Sequence, residues 1–392
     1  MTRRLAIFAS HVIQYQAPLF RLLAREPDID LTVLYGSRRG ADAFHDADMG
    51  TEVAWDVDLL EGYRHVFLRN FTTNPDGRFW RLVNPGLVPA LVRGRHDAVI
   101  VMTGWGTFSS ILAVMACRFL GIPCFLFGDS SFPPPVTGAA RALRAGVLRL
   151  LFGSVAGAMA SGTLNADYYR HYGMPDERIH FLPFAVDNER FAAASALTPD
   201  ERNAMRERYG IPRDAVAFLF SAKLVERKDP ATLLRAYARM RHRDRAAIVF
   251  AGDGELRGAL ESYAREHELP HVHFTGFVNQ RALPRHYGMC DALVLPSTFE
   301  PRGLVVNEAM ACGLPVVVSD RVGAIGDLAR DGDNAFVFRA GDDAMLASQL
   351  DRLTSDAALR ASMGARSREI IAGWSYTRAV EGIRAMLGSL ES

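Results

Sequence analysis

A chain of 392 residues with a net charge of +1, 49% hydrophobic and 23% charged residues, is too long for one ordinary core and fits two domains of roughly 190 residues each. The near-neutral balance leaves no field for nucleic acid or a generally basic partner. No stretch reaches the roughly eighteen apolar residues that span a bilayer.

Thr2-Arg3-Arg4 followed by Leu5 to Ala9 is basic and then apolar, but the apolar run is too short for a signal segment and His11 interrupts it, so it reads as a buried first strand. Further strand-like runs follow at Leu31 to Tyr35, Ala98 to Met102, Cys124 to Phe127, Ala217 to Ser221, Ala246 to Ala251, Val272 to Thr275, Ala292 to Leu295 and Val316 to Ser319. Helical periodicity fills most of the gaps, as in Ala231 to Met240 and Leu256 to His267. That alternation is the βα signature of parallel sheets covered on both faces. The acidic, irregular stretch Ser37 to Pro75 breaks it and reads as an excursion or a small antiparallel piece over the edge of the first domain. Ten acidic residues between Glu26 and Glu61 face only Arg38 and Arg39, and from Gly62 to Ala160 the sign reverses, with ten Arg against three Asp. Cys117, Cys124, Cys290 and Cys312 sit in apolar runs without metal-type spacing, as free thiols of a reducing compartment do. A cytoplasmic protein is the expectation, with attachment to the inner face of the membrane left open. A domain boundary falls near residues 183–191, giving domains 1–186 and 187–373. A last helical segment, 374–392, has no strand after it and is free to cross back to the first domain.

One stretch, Phe299 to Asp320 (FEPRGLVVNEAMACGLPVVVSD), concentrates the chemistry. It reads strand, loop, helix, strand, with Gly303 where the loop turns into the helix. The backbone N–H groups of Gly303, Leu304 and Val305 then point out of a helix N-terminus, which gathers an anion such as phosphate. Glu308 lies one turn deeper on the face of Leu304, and Glu300 stands in the loop ahead. By residue type alone the two carboxylates also fit an acid/base pair. The loops after the other strands of this half converge on the same end of the sheet: Lys223, Gly252-Asp253-Gly254 and Phe277-Val278-Asn279. Lys223 and Lys228 are the only lysines, so 43 of the 45 basic residues are arginine. Two compact ammonium groups in one carboxyl-end loop suit a diphosphate met as point charges, and a chance pairing in an exposed turn is the plainer alternative.

These residues resemble the retaining GT-B glycosyltransferases of the sucrose-synthase and mannosyltransferase-like group, family 4. The likeness covers most of residues 183–390 and rests on SAKLVERKD, AGDGELRGALE, FTGFV, LVLPSTFEPRGLVVNEAMACGLPVVVSD and DGDNAFVF. It implies an α/β chain of two doubly wound Rossmann-like domains facing across a cleft. The implied activity is transfer of a sugar from a nucleotide-diphosphate sugar to a glycan or lipid-linked acceptor, with retention and without a metal or other cofactor. The resemblance assigns Glu300 to the donor sugar, Glu308 to the ribose, and Gly303, Leu304, Val305, Lys223 and Lys228 to the diphosphate, with Phe277 and Val278 facing the base. In the first domain His11-Val12-Ile13-Gln14-Tyr15 stands where the family has a glycine-rich loop, which puts Gln14 and Tyr15 on the acceptor side. Asp129 stands where the family often has a histidine near the reacting carbon. The family mechanism is front-face attack with the leaving phosphate assisting deprotonation, and Glu300 as nucleophile is the runner-up. A same-fold nucleotide-sugar epimerase and a non-catalytic nucleotide-sugar-binding partner are the rival functions.

Three D-x-D spacings, Asp28/Asp30, Asp46/Asp48 and Asp56/Asp58, lie in the acidic stretch, far from the expected phosphate loop, and are not read as a metal site. Gly104 and Gly106 in TGWGTF fit an anion loop or a tight βα turn that exposes Trp105. Phe79, Trp80, Leu82 and Val83 alternate with Arg78 and Arg81, while Arg141, Arg144 and Arg149 punctuate a leucine-rich helix. Such segments either lie on an anionic membrane surface or form a solvated face over a core helix. The first alternative points to cell-surface polysaccharide or glycolipid assembly.

Overall fold

Short strands buried on both faces dominate this fold, and they sort into two sheets. The computed structural model describes residues 2–72, 79–128 and 138–390. The chain divides into one unit formed by Met1–Phe44, Asp58–Phe184 and Tyr376–Ser392, and a second formed by His45–Val57 and Ala185–Ser375. The first domain is therefore not contiguous over 1–186. Part of the acidic excursion, His45–Val57, belongs to the second unit.

In chain order the strands are β1 (Arg3–Ala9), β2 (Ile29–Tyr35), β3 (Phe44–Asp46), β4 (Thr51–Val53), β5 (His65–Phe67), β6 (Ala98–Val101), β7 (Cys124–Phe127), β8 (Gly157–Ala160) and β9 (Ile179–Phe181). They continue with β10 (Val216–Ser221), β11 (Ala246–Ala251), β12 (Val272–Gly276), β13 (Ala292–Leu295), β14 (Val316–Ser319) and β15 (Ala335–Phe338). The first unit holds a seven-stranded sheet ordered β5-β2-β1-β6-β7-β8-β9, the second a six-stranded sheet ordered β12-β11-β10-β13-β14-β15, and β3 pairs with β4. The recorded pairings within both large sheets are parallel.

Periodicity explains why these runs are strands. Along β10, Ala217 and Leu219 enter one core cluster, while Val216, Phe218 and Phe220 enter another on the opposite face. Nine of the strands were legible as such apolar runs. The others are short or made of small residues. Strand β8 reads Gly-Ala-Met-Ala, and a Cβ on its Gly157 would crowd the Phe125 ring at 3.1 Å, so packing demands the residue that weakens the pattern.

The last helix, Tyr376–Gly388, belongs to the first unit. Arg384 pairs with Asp28 at 2.7 Å and Glu26 at 2.9 Å, Tyr376 Oη donates to the Tyr15 carbonyl at 2.8 Å, and a Cβ on Gly382 would overlap the Phe181 carbonyl. In the same unit Thr107 caps helix Phe108–Leu120 by accepting from Ser110 N. That side chain, and not an anion, serves the helix start after TGWGTF. Trp105 packs half-buried against the core of this unit instead of standing exposed. The four cysteines are buried free thiols. No helix among the described residues is long and apolar enough to cross a membrane.

What positions a site in the second unit is the reversal of strand order between β10 and β13. From β10 the chain winds outward through β11 and β12, then returns to lay β13 against the other side of β10, with Phe218 opposite Ala292. The two carboxyl-end loops therefore leave the sheet in opposite directions and open a crevice between them, the usual ligand position of such sheets.

Candidate functional site

Strand β13 delivers the chain into a loop that turns at Gly303, φ 80°, and enters helix Leu304–Ala311. A side chain at Gly303 would be strained by that left-handed backbone, and its Cβ would meet Val322 Cγ1 at 3.1 Å and Leu295 Cδ2 at 3.3 Å. No side chain caps this helix. Among the described residues no acceptor meets the N–H groups of Leu304 and Val305. Open amides at the positive end of a helix, at the carboxyl edge of a parallel sheet, are suited to an anion.

Glu300 precedes that helix and is held from three sides. Its Oε1 accepts the Gly303 N–H at 3.2 Å, and its Oε2 is ion-paired with Lys228 Nζ. Its backbone bridges to the next loop, with N donating to the Arg321 carbonyl at 3.2 Å and its carbonyl accepting from Gly323 N at 2.8 Å. Lys228 ends the short helical turn Glu226–Lys228, beside Asp229, whose φ of 45° and carboxylate start helix Pro230–Arg239 by accepting from Thr232 N. Thr298 N donates to the Arg227 carbonyl at 3.0 Å, joining the loops after β10 and β13. The structure thus brings Lys228, Glu300, Gly303, Leu304 and Val305 into one cluster.

Glu308 lies one helical turn farther in. The buried Tyr287 donates its hydroxyl to Glu308 Oε2 at 2.6 Å. Burial pushes the Glu308 carboxyl up to about 7, against the Tyr287 hydrogen bond and the charge of Arg190, which both favour the ionised form. Solvent still reaches part of this residue, and the carboxyl is poised between two protonation states near neutrality.

Lys223 has different company from Lys228. Its Nζ meets Asp46 Oδ1 at 2.7 Å, Asp46 Oδ2 at 2.8 Å and Asp48 Oδ2 at 3.0 Å, and Arg227 stands 3.7 Å from Asp48. The Lys223 hydrogen bond holds the Asp48 carboxyl below the usual carboxylate range. This corrects the placement of Asp46/Asp48 far from the phosphate loop: β3 and β4 lay that pair directly on it. Glycines 252 and 254 back the same loop, since a Cβ on either would overlap the carbonyl of Ala222 or Leu224. The Leu224 N–H donates to the Asp253 carbonyl at 2.9 Å.

Phe277 stands partly exposed after β12 with Trp55 tilted against it, ring centres 6.3 Å apart, while Val278 packs into the core. Asn279 Nδ2 donates to the Ala54 carbonyl at 2.7 Å, and Arg281 N donates to Asp56 at 3.2 Å. Gln14 and Tyr15 follow β1 in the first unit, where the Tyr15 ring meets Phe184 edge-on at 5.9 Å. Asp129 lies outside the described residues. Sequence reading missed Tyr287, Asp46 and Asp48. Tyr287 is one aromatic on the buried face of a short helix, which no spacing marks as functional, whereas the Asp pair did carry a signal, its D-x-D spacing.

Comparison with known proteins accords with this geometry. Residues 201–370 match the family described as glycosyl transferases group 1. An uncharacterized glycosyltransferase of Methanocaldococcus jannaschii is 34% identical over 197 residues, which cover 50% of this chain and 50% of that protein. A D-inositol 3-phosphate glycosyltransferase of Geodermatophilus obscurus is 33% identical over 226 residues, 55% of this chain and 48% of that one. The chain thus spans about half the length of the curated relatives it matches. The crystal structure of Anabaena HepE in complex with UDP superposes with a TM-score of 0.75 over 99% of this chain and 100% of that one, at 17% identity. That likeness shows the fold, GT-B.

Proposed function

We propose, from the match of residues 201–370 to the group 1 glycosyl transferases, that the chain moves a glycosyl group from a nucleotide-diphosphate sugar to a hydroxyl of a glycan or lipid-linked acceptor, with retention. The observation that carries this reading is the uncapped start of helix Leu304–Ala311 beside the Lys228–Glu300 pair, with Glu308 one turn inward.

In this reading the bond between the anomeric carbon and the β-phosphate oxygen breaks, leaving its electron pair on the phosphate. The acceptor oxygen bonds to the same face of that carbon, and its proton passes to the departing phosphate oxygen. Negative charge grows on the diphosphate, where the amides of Leu304 and Val305 and the ammonium groups of Lys228 and Lys223 stabilise it. Preorganised positive groups at a developing charge are usually the largest contribution an enzyme makes. Glu308 holds the ribose hydroxyls. Glu300, with one oxygen on Gly303 N–H and the other on Lys228, holds donor-sugar hydroxyls and orients the lysine, which suits a holder better than a nucleophile. Phe277 and Val278 flank the base, Gln14 and Tyr15 serve the acceptor side, and Asp129 is assigned to the reacting carbon.

An anionic membrane surface is the proposed second partner, in keeping with polysaccharide or glycolipid assembly. Helix Ala139–Gly153 exposes Leu143 (72%), Val147 (54%) and Leu150 (78%) along one stripe beside the exposed Arg141 and Arg149. Flotation with anionic vesicles tests this, and failure to float at low salt refutes it.

Incubation with a panel of mass-tagged nucleotide sugars, with and without acceptors, tests the function. Acceptor-dependent release of the nucleoside diphosphate supports transfer. Isomerisation without acceptor indicates an epimerase, and binding without turnover a non-catalytic partner. Near-normal rates in both Glu308→Ala and Lys228→Ala overturn the site.

A further inference from the structure

We propose that Asp46 and Asp48 are specificity-determining residues of the donor site: they pair with Lys223, so that only a ligand with the charge of a diphosphate displaces them. The proposal rests on the reading of Lys223 as a diphosphate contact.

The segment that carries the two aspartates is fastened at both ends to the loops that reading assigns to the donor. At one end Asp46 and Asp48 surround the Lys223 ammonium with three oxygens within 3.0 Å. At the other, Trp55 leans on Phe277, the Ala54 carbonyl accepts from Asn279, and Asp56 accepts from Arg281 N. Residues 45–57 therefore lie along the same path as a nucleotide running from the Phe277 loop to the Lys223 loop. Two carboxylates one residue apart offer an ammonium what two phosphate oxygens offer it.

The balance of these contacts allows exchange. Asp46 is buried, but Asp48 is 48% exposed and Lys223 29% exposed, so water screens much of the attraction. A nucleoside alone brings nothing to replace the carboxylates. A nucleoside diphosphate brings charge that meets Lys223 and the open amides of Leu304 and Val305 together. The consequence is a site that discriminates by charge before it discriminates by sugar.

The test is titration calorimetry of UDP, GDP and ADP, each beside its nucleoside, on the full chain and on Asp46→Asn/Asp48→Asn. The double variant is expected to bind the preferred diphosphate about tenfold more tightly, with nucleoside affinity unchanged, since two partly screened pairs no longer compete. Amide exchange across residues 45–57 is expected to speed up when the diphosphate is added. Unchanged or weaker diphosphate binding, or slower exchange, overturns the proposal, because the aspartates would then be supports of the bound state. Lys223→Ala separates this from the underlying reading. Loss of diphosphate affinity in Lys223→Ala without tightening in the aspartate variant sinks the proposal alone, whereas no effect of Lys223→Ala sinks both. If the double variant fails to fold, Asp48→Asn, at the more exposed position, decides by the same direction of change.

Discussion

Replacing Tyr287 by Phe removes one hydroxyl and keeps the ring that packs edge-on against Phe191. That hydroxyl donates to Glu308 Oε2 at 2.6 Å, and a hydrogen bond to a charged group is worth about 1.5–3 kcal/mol. Losing it disfavours the ionised carboxylate, so the Glu308 pKa, already near 7 through burial, rises by about one to two units. At pH 7.5 Glu308 is about three-quarters ionised in the native protein and about a tenth ionised in the variant. The assay is calorimetric binding of a nucleoside diphosphate and its 3′-deoxy analogue from pH 6 to pH 9.5, taking the difference so that phosphate titration cancels. The hydroxyl increment is expected to fall below about pH 7 in the native protein, to fall one to two units higher in Tyr287→Phe, and to recover at pH 9.5. An acidic limb that does not move refutes the positioning role of Tyr287. The same group makes a stability prediction. Its folded pKa of about 7 lies above its ordinary 4.5, so the stability linked to it is full below about pH 4.5 and is lost as pH rises through 7. The difference corresponds to at most about 3 kcal/mol, less the screening at its open surface. Glu308→Gln is therefore expected to be more stable than the native protein at pH 8 and less able to bind donor.

Three further outcomes follow from the packing. Arg206 is 2% exposed, pairs with Asp291 at 2.7 Å and donates to the carbonyls of Met289, Arg213 and Ala215, so Arg206→Ala is expected to cost about 3–5 kcal/mol in urea unfolding. His11 is held down to about 4 by burial, with Arg39 and Arg81 adding to the effect. Its share of stability is present above about pH 6.5 and lost as pH falls toward 4, by at most about 3 kcal/mol, and His11→Gln is expected to flatten that limb in thermal melts. Gly303→Ala forces a side chain into a φ of 80° against Val322 and Leu295. It is expected to weaken diphosphate binding by about tenfold or more while costing about 1–2 kcal/mol of stability, and calorimetry beside a melt checks both.

Local signals in the sequence reached far into this fold. The continuous apolar runs of β10 and β11, the strand-loop-helix order around Gly303, and the isolation of lysine in one loop are properties of neighbouring residues, and local pattern reports them directly. The Glu300–Gly303–Glu308 framework was legible for that reason. Tyr287 was not, because its partner is 21 positions away and a buried tyrosine in a helix looks like any core aromatic. The Lys223 contacts were farther still from view. Asp46 stands 177 positions before Lys223, and nothing in the composition of the acidic stretch says which unit it joins.

That hidden placement changes how the lysine pair is to be understood. Read along the chain, Lys223 and Lys228 were two equivalent charges waiting for a diphosphate. In the fold each already has an acidic counterpart, but of different kinds. Lys228 pairs with Glu300, the two side chains each only 12% exposed, so this pair is part of the wall and fixes the Glu300 carboxylate. Lys223 pairs with carboxylates brought by a remote segment, one of them half in water. On the proposed reading, the buried pair holds Lys228 in place beside the departing phosphate, while the half-exposed pair leaves Lys223 to exchange its partners for a diphosphate. Lys228→Ala should then lower turnover, whereas Lys223→Ala should chiefly raise the donor concentration needed to reach it.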